Sequence, residues 1–273
     1  MLDLRKKADN GKKLVMVTAY DATMARLVDT AEVDMILVGD SMGMVVQGHT
    51  DTLPVTMDHM IYHVQCVARG SSRAHIIADM PFMSYQVDAK EGLRNAGRLM
   101  KESGAGSVKL EGGERSAEVI RRCVEAGIPV VGHVGLTPQS VHAMGGFRVQ
   151  GRTTDAAEQV VADALAVQEA GAFCIVLEGI PAGVAAEITN QLEILTIGIG
   201  AGIHCDGQVL VCNDILGMDL SFAPKFVKRY ARVQETAVEA FSAFAREVRE
   251  GDFPGPEHSF KMKGAPRKVV KLY

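Results

Sequence analysis

Asp40, Asp79 and Glu111 each close a short apolar run: DMILVGDS, AHIIAD and SVKLEGG. Unpaired carboxylates brought together repel one another and are costly to desolvate. A hard divalent cation resolves that conflict, and Mg2+ takes oxygen ligands from one or two carboxylates plus substrate and water. Taken singly, each carboxylate reads equally well as a helix cap or a structural ion pair. Taken together, the three point to a metal site. Lys109 precedes Glu111 by two residues, so both side chains share one face of an extended segment. An ammonium there suits recognition of an anionic substrate group such as a carboxylate. A Schiff-base nucleophile is the rival role, disfavoured because neighbouring carboxylates keep lysine protonated, and a buried Lys–Asp pair is the structural alternative. Glu178, at the end of FCIVLEG, is set apart from these groups and suits a general base. His133, in PVVGHVG, is a second candidate base or an orienting hydrogen-bond donor, unless it is simply a satisfied core histidine.

Strands that end repeatedly on polar residues describe the face of a parallel barrel where a site is assembled. Eight apolar runs recur, the others being LVMVTAY, ILTIGIGAG and QVLVCND. They do not alternate polar with apolar, as expected of strands covered on both faces. Between them lie helical stretches at Ala22–Ala31, Met57–Arg69, Ala89–Ser103, Glu114–Ala126, Thr154–Ala170 and Pro181–Gln191, several followed by a glycine stop. Alternating strands and helices over 273 residues predict an α/β fold, one (β/α)8 TIM barrel.

A long C-terminal helix is expected from about Phe226 to Glu250. Val227, Tyr230, Ala237, Phe241, Phe244 and Val248 would form its apolar stripe, packed on the barrel wall or, less favoured, against another subunit. The expected domains are a catalytic barrel over 1–260 and a basic, mobile tail over 261–273. The five cysteines (Cys66, Cys123, Cys174, Cys205, Cys212) are scattered, as free buried thiols would be in a reducing cytoplasm. A formal charge of −4 gives no general attraction to nucleic acid or to an anionic membrane, and no run approaches a membrane span of ~20 apolar residues. The N-terminus carries no targeting pattern, so a cytoplasmic protein is expected. HMIYH (His59, His63) has zinc-like spacing but lacks the HExxH glutamate, and both histidines read as helix-surface residues. GIGAG (Gly198–Gly202) is either a phosphate cradle or a tight turn, and GGFRVQGR (Gly145–Arg152) resembles a lid.

The stretches VTAYDA, LVGDSMGMVVQGHTDTLPVT, ADMPFMSY, VKLEGG, GHVGLTPQSV, GGFRVQGR, TIGIGAGIHCDGQVLV and PKFVKRY resemble the ketopantoate hydroxymethyltransferase family, in that family's order from residue 17 to about 230. The resemblance implies Mg2+ ligation by Asp40 and Asp79, with Glu111 as the third acidic group. It implies 2-oxoacid binding by Asp40, Ser41, Asp79 and Lys109, and proton abstraction by Glu178. It further implies 5,10-methylenetetrahydrofolate as the one-carbon donor and a homodecamer of two stacked pentameric rings. His133 joins the expected substrate-binding set on its position alone. Departures from the family pattern, at Ile180, Ala182–Gly183 and beyond Phe260, touch neither metal nor substrate groups.

Two other readings fit the residues. Mg2+-dependent barrels that act on oxoacids, either C–C lyases or phosphonomutase-type enzymes, also carry strand-end carboxylates. The KKCGH loop of the lyases is missing from this sequence. A catalytically silent barrel scaffold would have no need of converging charges.

Overall fold

The computed structural model describes residues 1–220 and 224–261. Its elements run in the order α1 (Leu2–Asp9), β1 (Leu14–Thr18), α2 (Ala22–Thr30), β2 (Met35–Val38), α3 (Met42–Val45), α4 (Met57–Gly70), β3 (His75–Asp79), α5 (Ala89–Glu102), β4 (Ser107–Lys109), α6 (Ala117–Glu125), β5 (Val130–Gly135), α7 (Thr154–Glu169), β6 (Cys174–Glu178), α8 (Ala182–Gln191), β7 (Leu195–Ile199), β8 (Gly207–Leu210), α9 (Cys212–Leu216) and α10 (Val233–Glu250). The strands pair in parallel and in sequence order, and β8 closes on β1. The fold is a (β/α)8 barrel, as the eight apolar runs predict.

Alternate residues of each strand serve two cores. One row fills the barrel interior: Leu14 and Met16, Met35 and Leu37, Ile77, Val131, Cys174 and Val176, Ile197, Val209. The other row, including Val17, Ile36, Ala78, Val108, Ile175 and Leu177, packs outward under the helices. Both faces are therefore apolar, which is why the strands show no alternation. Leu4 of α1 joins the inner cluster beside Leu14 and so caps one end of the barrel. Side-chain caps start α2, α4, α5 and α7. Asp21 accepts from the amides of Thr23 and Met24, Asp88 from those of Lys90 and Glu91, and Thr56 pairs reciprocally with His59.

One feature decides between two expected alternatives and two differ from expectation. First, β7 and β8 are joined by residues 200–206 with no helix between them. The GIGAG segment is this short crossover, with Gly200 and Gly202 in the left-handed region, so its glycines serve a turn and open no helix that would hold a phosphate. Second, the C-terminal helix starts at Val233 and not at Phe226. The amides of Tyr230 and Ala231 donate to the Ile215 carbonyl, and that of Gln234 to the Gly217 carbonyl. These bonds draw the segment onto the end of α9 and postpone the first helical turn. Third, α10 does not pack on the barrel wall. None of its residues is buried, and Phe241 is 73% exposed. Of the expected tail over 261–273, only Lys261 lies within the described residues.

No disulfide occurs among the described residues. Cys123, Cys174, Cys205 and Cys212 are buried thiols, and Cys66 is half-buried. No helix among the described residues is long and apolar enough to cross a membrane.

Candidate active site

The inward rows that fill the barrel continue one step further as polar groups. Ile77 leads to Asp79, Ser107 to Lys109 and then Glu111, Val131 to His133, and Cys174 and Val176 to Glu178, each two residues on and so on the same face. Asp79 and Lys109 are register partners across β3 and β4, and Gly135 and Glu178 across β5 and β6. Asp40 follows β2 by two residues, in the turn before α3. Parallel strands in a closed barrel bring these ends to one mouth. Asp40, Asp79, Lys109, Glu111 and His133 are all buried there, each at most 3% exposed.

Two glycines make the approach possible. A Cβ on Gly39 would stand 2.9 Å from Ser41 Oγ and 3.8 Å from Asp79 Oδ2. Gly135 has φ +91, and a Cβ there would meet the Glu178 carbonyl at 2.3 Å.

Lys109 Nζ lies 2.8 Å from Asp79 Oδ1, and the other oxygen of Asp79 accepts from the Asp40 amide at 3.2 Å. On its far side Lys109 donates to His133 Nδ1 at 3.2 Å. An ammonium can only donate, so Nδ1 is the acceptor and the ring proton sits on Nε2, which lies 3.2 Å from Glu178 Oε2. Burial opposes charge on Lys109, but Asp79, Glu111 and Asp40 outweigh it and hold the ammonium more firmly protonated than an ordinary lysine. Burial, then the Lys109 charge, pushes His133 down, which keeps its ring neutral. Glu178 is the more open member, its side chain 16% exposed. Ser41 Oγ pairs with the Tyr20 hydroxyl at 2.9 Å.

The charges do not balance around Lys109. Burial raises the Asp40 carboxyl above the usual range, Asp79 adding to the effect. Burial also pushes Glu111 well up, with Lys109 opposing and Asp40 and Asp79 adding. Glu111 Oε1 is buried with no hydrogen-bond partner. Three carboxylates around one ammonium, with a carboxylate oxygen left over, fit an oxygen-seeking divalent cation. Among the described residues no three Asp, Glu, His or Cys side chains gather closely enough to hold a metal ion unaided. The expected trio of Asp40, Asp79 and Glu111 thus shares one pocket without forming a closed cage.

Gln139 and Tyr85 also reach the site, and neither is marked by strand-end spacing. Gln139 Nε2 donates to Asp40 Oδ2 at 2.9 Å, and the Tyr85 hydroxyl donates to Gln139 Oε1 at 2.7 Å. Both residues lie in motifs already conspicuous in the sequence, TPQSV and FMSY, which was the one available signal. His59 is exposed in its capping box, while His63 is half-buried and its Nδ1 pairs with the Tyr20 carbonyl at 2.7 Å. Neither belongs to the site.

A family model described as ketopantoate hydroxymethyltransferase matches residues 1–256. A protein of Syntrophotalea carbinolica named 3-methyl-2-oxobutanoate hydroxymethyltransferase is 58% identical over 260 residues, covering 95% of this chain and 97% of the relative. One of the same name from Clostridium beijerinckii is 52% identical over 273 residues, covering 100% and 98%. Among solved structures, phosphonopyruvate hydrolase in complex with oxalate and Mg2+ superposes with a TM-score of 0.62 at 14% identity, covering 94% of this chain and 92% of that one. A 2,3-dimethylmalate lyase of the PEP mutase/isocitrate lyase superfamily superposes with a TM-score of 0.59 at 15% identity, covering 99% and 91%. At such identities these two likenesses speak to the barrel fold alone.

Proposed function

The chain belongs to the ketopantoate hydroxymethyltransferase family and transfers a hydroxymethyl group to 3-methyl-2-oxobutanoate, giving 2-dehydropantoate (ketopantoate); we propose that it does so by Mg2+-assisted proton abstraction at the barrel mouth, with 5,10-methylenetetrahydrofolate as the one-carbon donor. The observation that carries this reading is the convergence of Asp40, Asp79, Lys109 and Glu111 on one side of His133 and of Glu178 on the other.

Asp40 and Asp79 would hold the cation, and Glu111 supplies the third acidic group of the pocket. Bound Mg2+ supplies Lewis-acid stabilisation of the charge that develops on the keto oxygen. Lys109, kept protonated by its carboxylate neighbours, binds the substrate carboxylate, and the Ser41 hydroxyl, oriented by Tyr20, adds a second contact. Glu178 takes the C3 proton. His133 is the weaker candidate for that task, because its Nδ1 lone pair is engaged by Lys109 and its Nε2 carries the proton. Its neutral ring instead turns that N–H towards the mouth, 3.2 Å from Glu178 Oε2 and without a hydrogen-bond partner, which leaves the donor for bound substrate. The C3 carbanion then forms a C–C bond to the methylene carbon of the donor, water supplies the hydroxyl of the new hydroxymethyl group as the C–N bonds to the folate break, and tetrahydrofolate leaves with its nitrogens protonated.

The catalytic domain is proposed to span 1–260, and assembly is proposed to be a homodecamer of two stacked pentameric rings. The exposed face of α10, with Val238, Phe241, Phe244 and Val248, supports contact with further copies, since apolar surface of that extent marks an interaction site. Free thiols throughout the described chain support a reducing compartment such as the cytoplasm.

The test is proton–deuterium exchange at C3 of 3-methyl-2-oxobutanoate, followed by NMR without folate, in Mg2+ and in chelator. Exchange that depends on Mg2+ is expected. Exchange that is equally fast in chelator would remove the metal from the proton-abstraction step.

A further inference from the structure

Gln139 uses every hydrogen-bonding position it has. It lies in the turn Pro138–Ser140 after β5 and is 5% exposed. Its Nε2 donates to Asp40 Oδ2 and to the Met80 carbonyl, both at 2.9 Å. Its Oε1 accepts from the Tyr85 hydroxyl at 2.7 Å and from Gln86 Nε2 at 2.9 Å. Its backbone amide donates to Glu111 Oε2 at 3.0 Å. A primary amide offers two donors and two lone pairs, and all are engaged here. The orientation of the side chain is thereby fixed. Turned over, its oxygen would face the Asp40 carboxylate and the Met80 carbonyl, two buried acceptors with nothing to accept.

One residue therefore ties together the ends of β2, β3 and β4. It holds Asp40 by Oδ2 through its side chain and Glu111 by Oε2 through its backbone. The oxygen of Glu111 left without a partner is Oε1. Tyr85 stands behind it. The hydroxyl that donates to Gln139 also accepts from the Glu111 amide at 3.0 Å, and burial pushes Tyr85 well up, so that it stays a donor.

We propose that Gln139 is a positioning residue for the divalent cation: it aims the Asp40 and Glu111 carboxylates into the mouth and so sets metal affinity without being a ligand itself. Its side-chain oxygen points away from the carboxylates, towards Tyr85 and Gln86. The proposal rests on the reading of Asp40 and Asp79 as cation-holding groups. Hydrogen bonds that orient metal-binding carboxylates are characteristically worth 10–100-fold in affinity or activity.

The experiment measures Mn2+ binding by the EPR signal of free Mn2+, with 3-methyl-2-oxobutanoate present, on the full chain. Thermal unfolding and C3 exchange are measured in parallel. Wild type is expected to bind and Asp79→Ala to lose binding. Gln139→Leu, close in volume, is expected to bind about 10–100-fold more weakly. Its C3 exchange should fall at low Mg2+ and recover towards wild type at saturating Mg2+. Tyr85→Phe should lose less, because the Gln139 amide keeps its bonds to Asp40, Met80 and Gln86.

A folded Gln139→Leu protein with wild-type Mn2+ affinity overturns the proposal. So does a lower melting temperature with unchanged affinity, which is what a merely structural role would give. If Gln139→Leu does not fold, Tyr85→Phe decides alone, and unchanged affinity there is equally fatal. Wild type that binds no Mn2+ would sink the cation reading itself, an outcome distinct from failure of Gln139 alone.

Discussion

Lys109 Nζ stands 2.8 Å from Asp79 Oδ1, across a register pair that joins β4 to β3, with both side chains at most 4% exposed. A charge pair in so dry a place stabilises little in net terms, because desolvation offsets most of the attraction. Removing one partner nonetheless leaves the other buried and uncompensated. The pair is better understood as a means of keeping an ammonium charged at the barrel mouth, where an anionic substrate group can meet it.

Lys109→Met should therefore cost both binding and stability. The orphaned Asp79 carboxylate is expected to lower stability by about 3–5 kcal/mol and to raise KM for the 2-oxoacid. Added Mg2+ should raise the melting temperature of this variant more than that of wild type, because the cation supplies the missing positive charge. Thermal unfolding with and without Mg2+ checks this, and equal shifts in the two proteins would place the metal away from Asp79.

Glu178→Gln keeps the shape of the side chain and removes its basicity. The 2-oxoacid should bind nearly as well, while C3 exchange slows by about 10²–10⁴-fold, the usual worth of a positioned base. Exchange at the wild-type rate would dismiss Glu178 as the base and return the role to His133, whose proton would then have to sit on the other nitrogen.

The barrel was legible in the sequence because its strands are apolar on both faces and their last inward residue is polar. Asp79, Lys109, His133 and Glu178 all follow that rule, and the structure brings them together. Gln139 obeys no such rule. It lies in a turn, and its partner Asp40 is 99 residues away, so no period or spacing announces it. The stripe on α10 was legible as a stripe. What it faces was not, because amphipathicity states that a face is apolar and leaves open which surface meets it. GIGAG was ambiguous for a related reason, since glycines that permit a left-handed backbone look the same in a crossover turn and in an anion cradle.

Asp29 offers a test of stability independent of the site. It is buried near the end of α2, where it accepts from Ser71 Oγ at 2.6 Å and from the amides of Ser72, Arg73 and Ala74 at 3.2, 3.1 and 3.0 Å. Burial opposes its ionisation, but the bonds from Ser71, Ala74, Ser72 and Arg73 hold it well below the usual carboxylate range. A depressed carboxyl contributes stability that is full above its unfolded value, about 3.9, and is lost as pH falls through the lower folded value. Asp29→Asn should be less stable than wild type at pH 7 by about 2 kcal/mol, and the gap should narrow below about pH 4. A gap that stays constant down to pH 3 would show that the charge of Asp29 contributes nothing. The bonds fix the turn leading into β3, the strand that delivers Asp79.

The apolar face of α10 sets the last expectation. Val238, Phe241, Phe244 and Val248 are 57%, 73%, 54% and 48% exposed and recur at three- and four-residue intervals, so they line one side of the helix. Phe244 meets Phe253 edge-on, with ring centroids 5.4 Å apart, which leaves Phe241 as the larger uncovered ring. Phe241→Glu would place a charge where a second copy must be desolvated to dock. The variant is expected to keep the far-UV circular dichroism of the barrel, because none of α10 is buried in it, and to lose the proposed decameric assembly. Size-exclusion chromatography with light scattering reads the mass directly. A Phe241→Glu protein that still runs as a decamer would assign ring assembly to another face, whereas a smaller particle with intact secondary structure would identify α10 as the element that joins the copies.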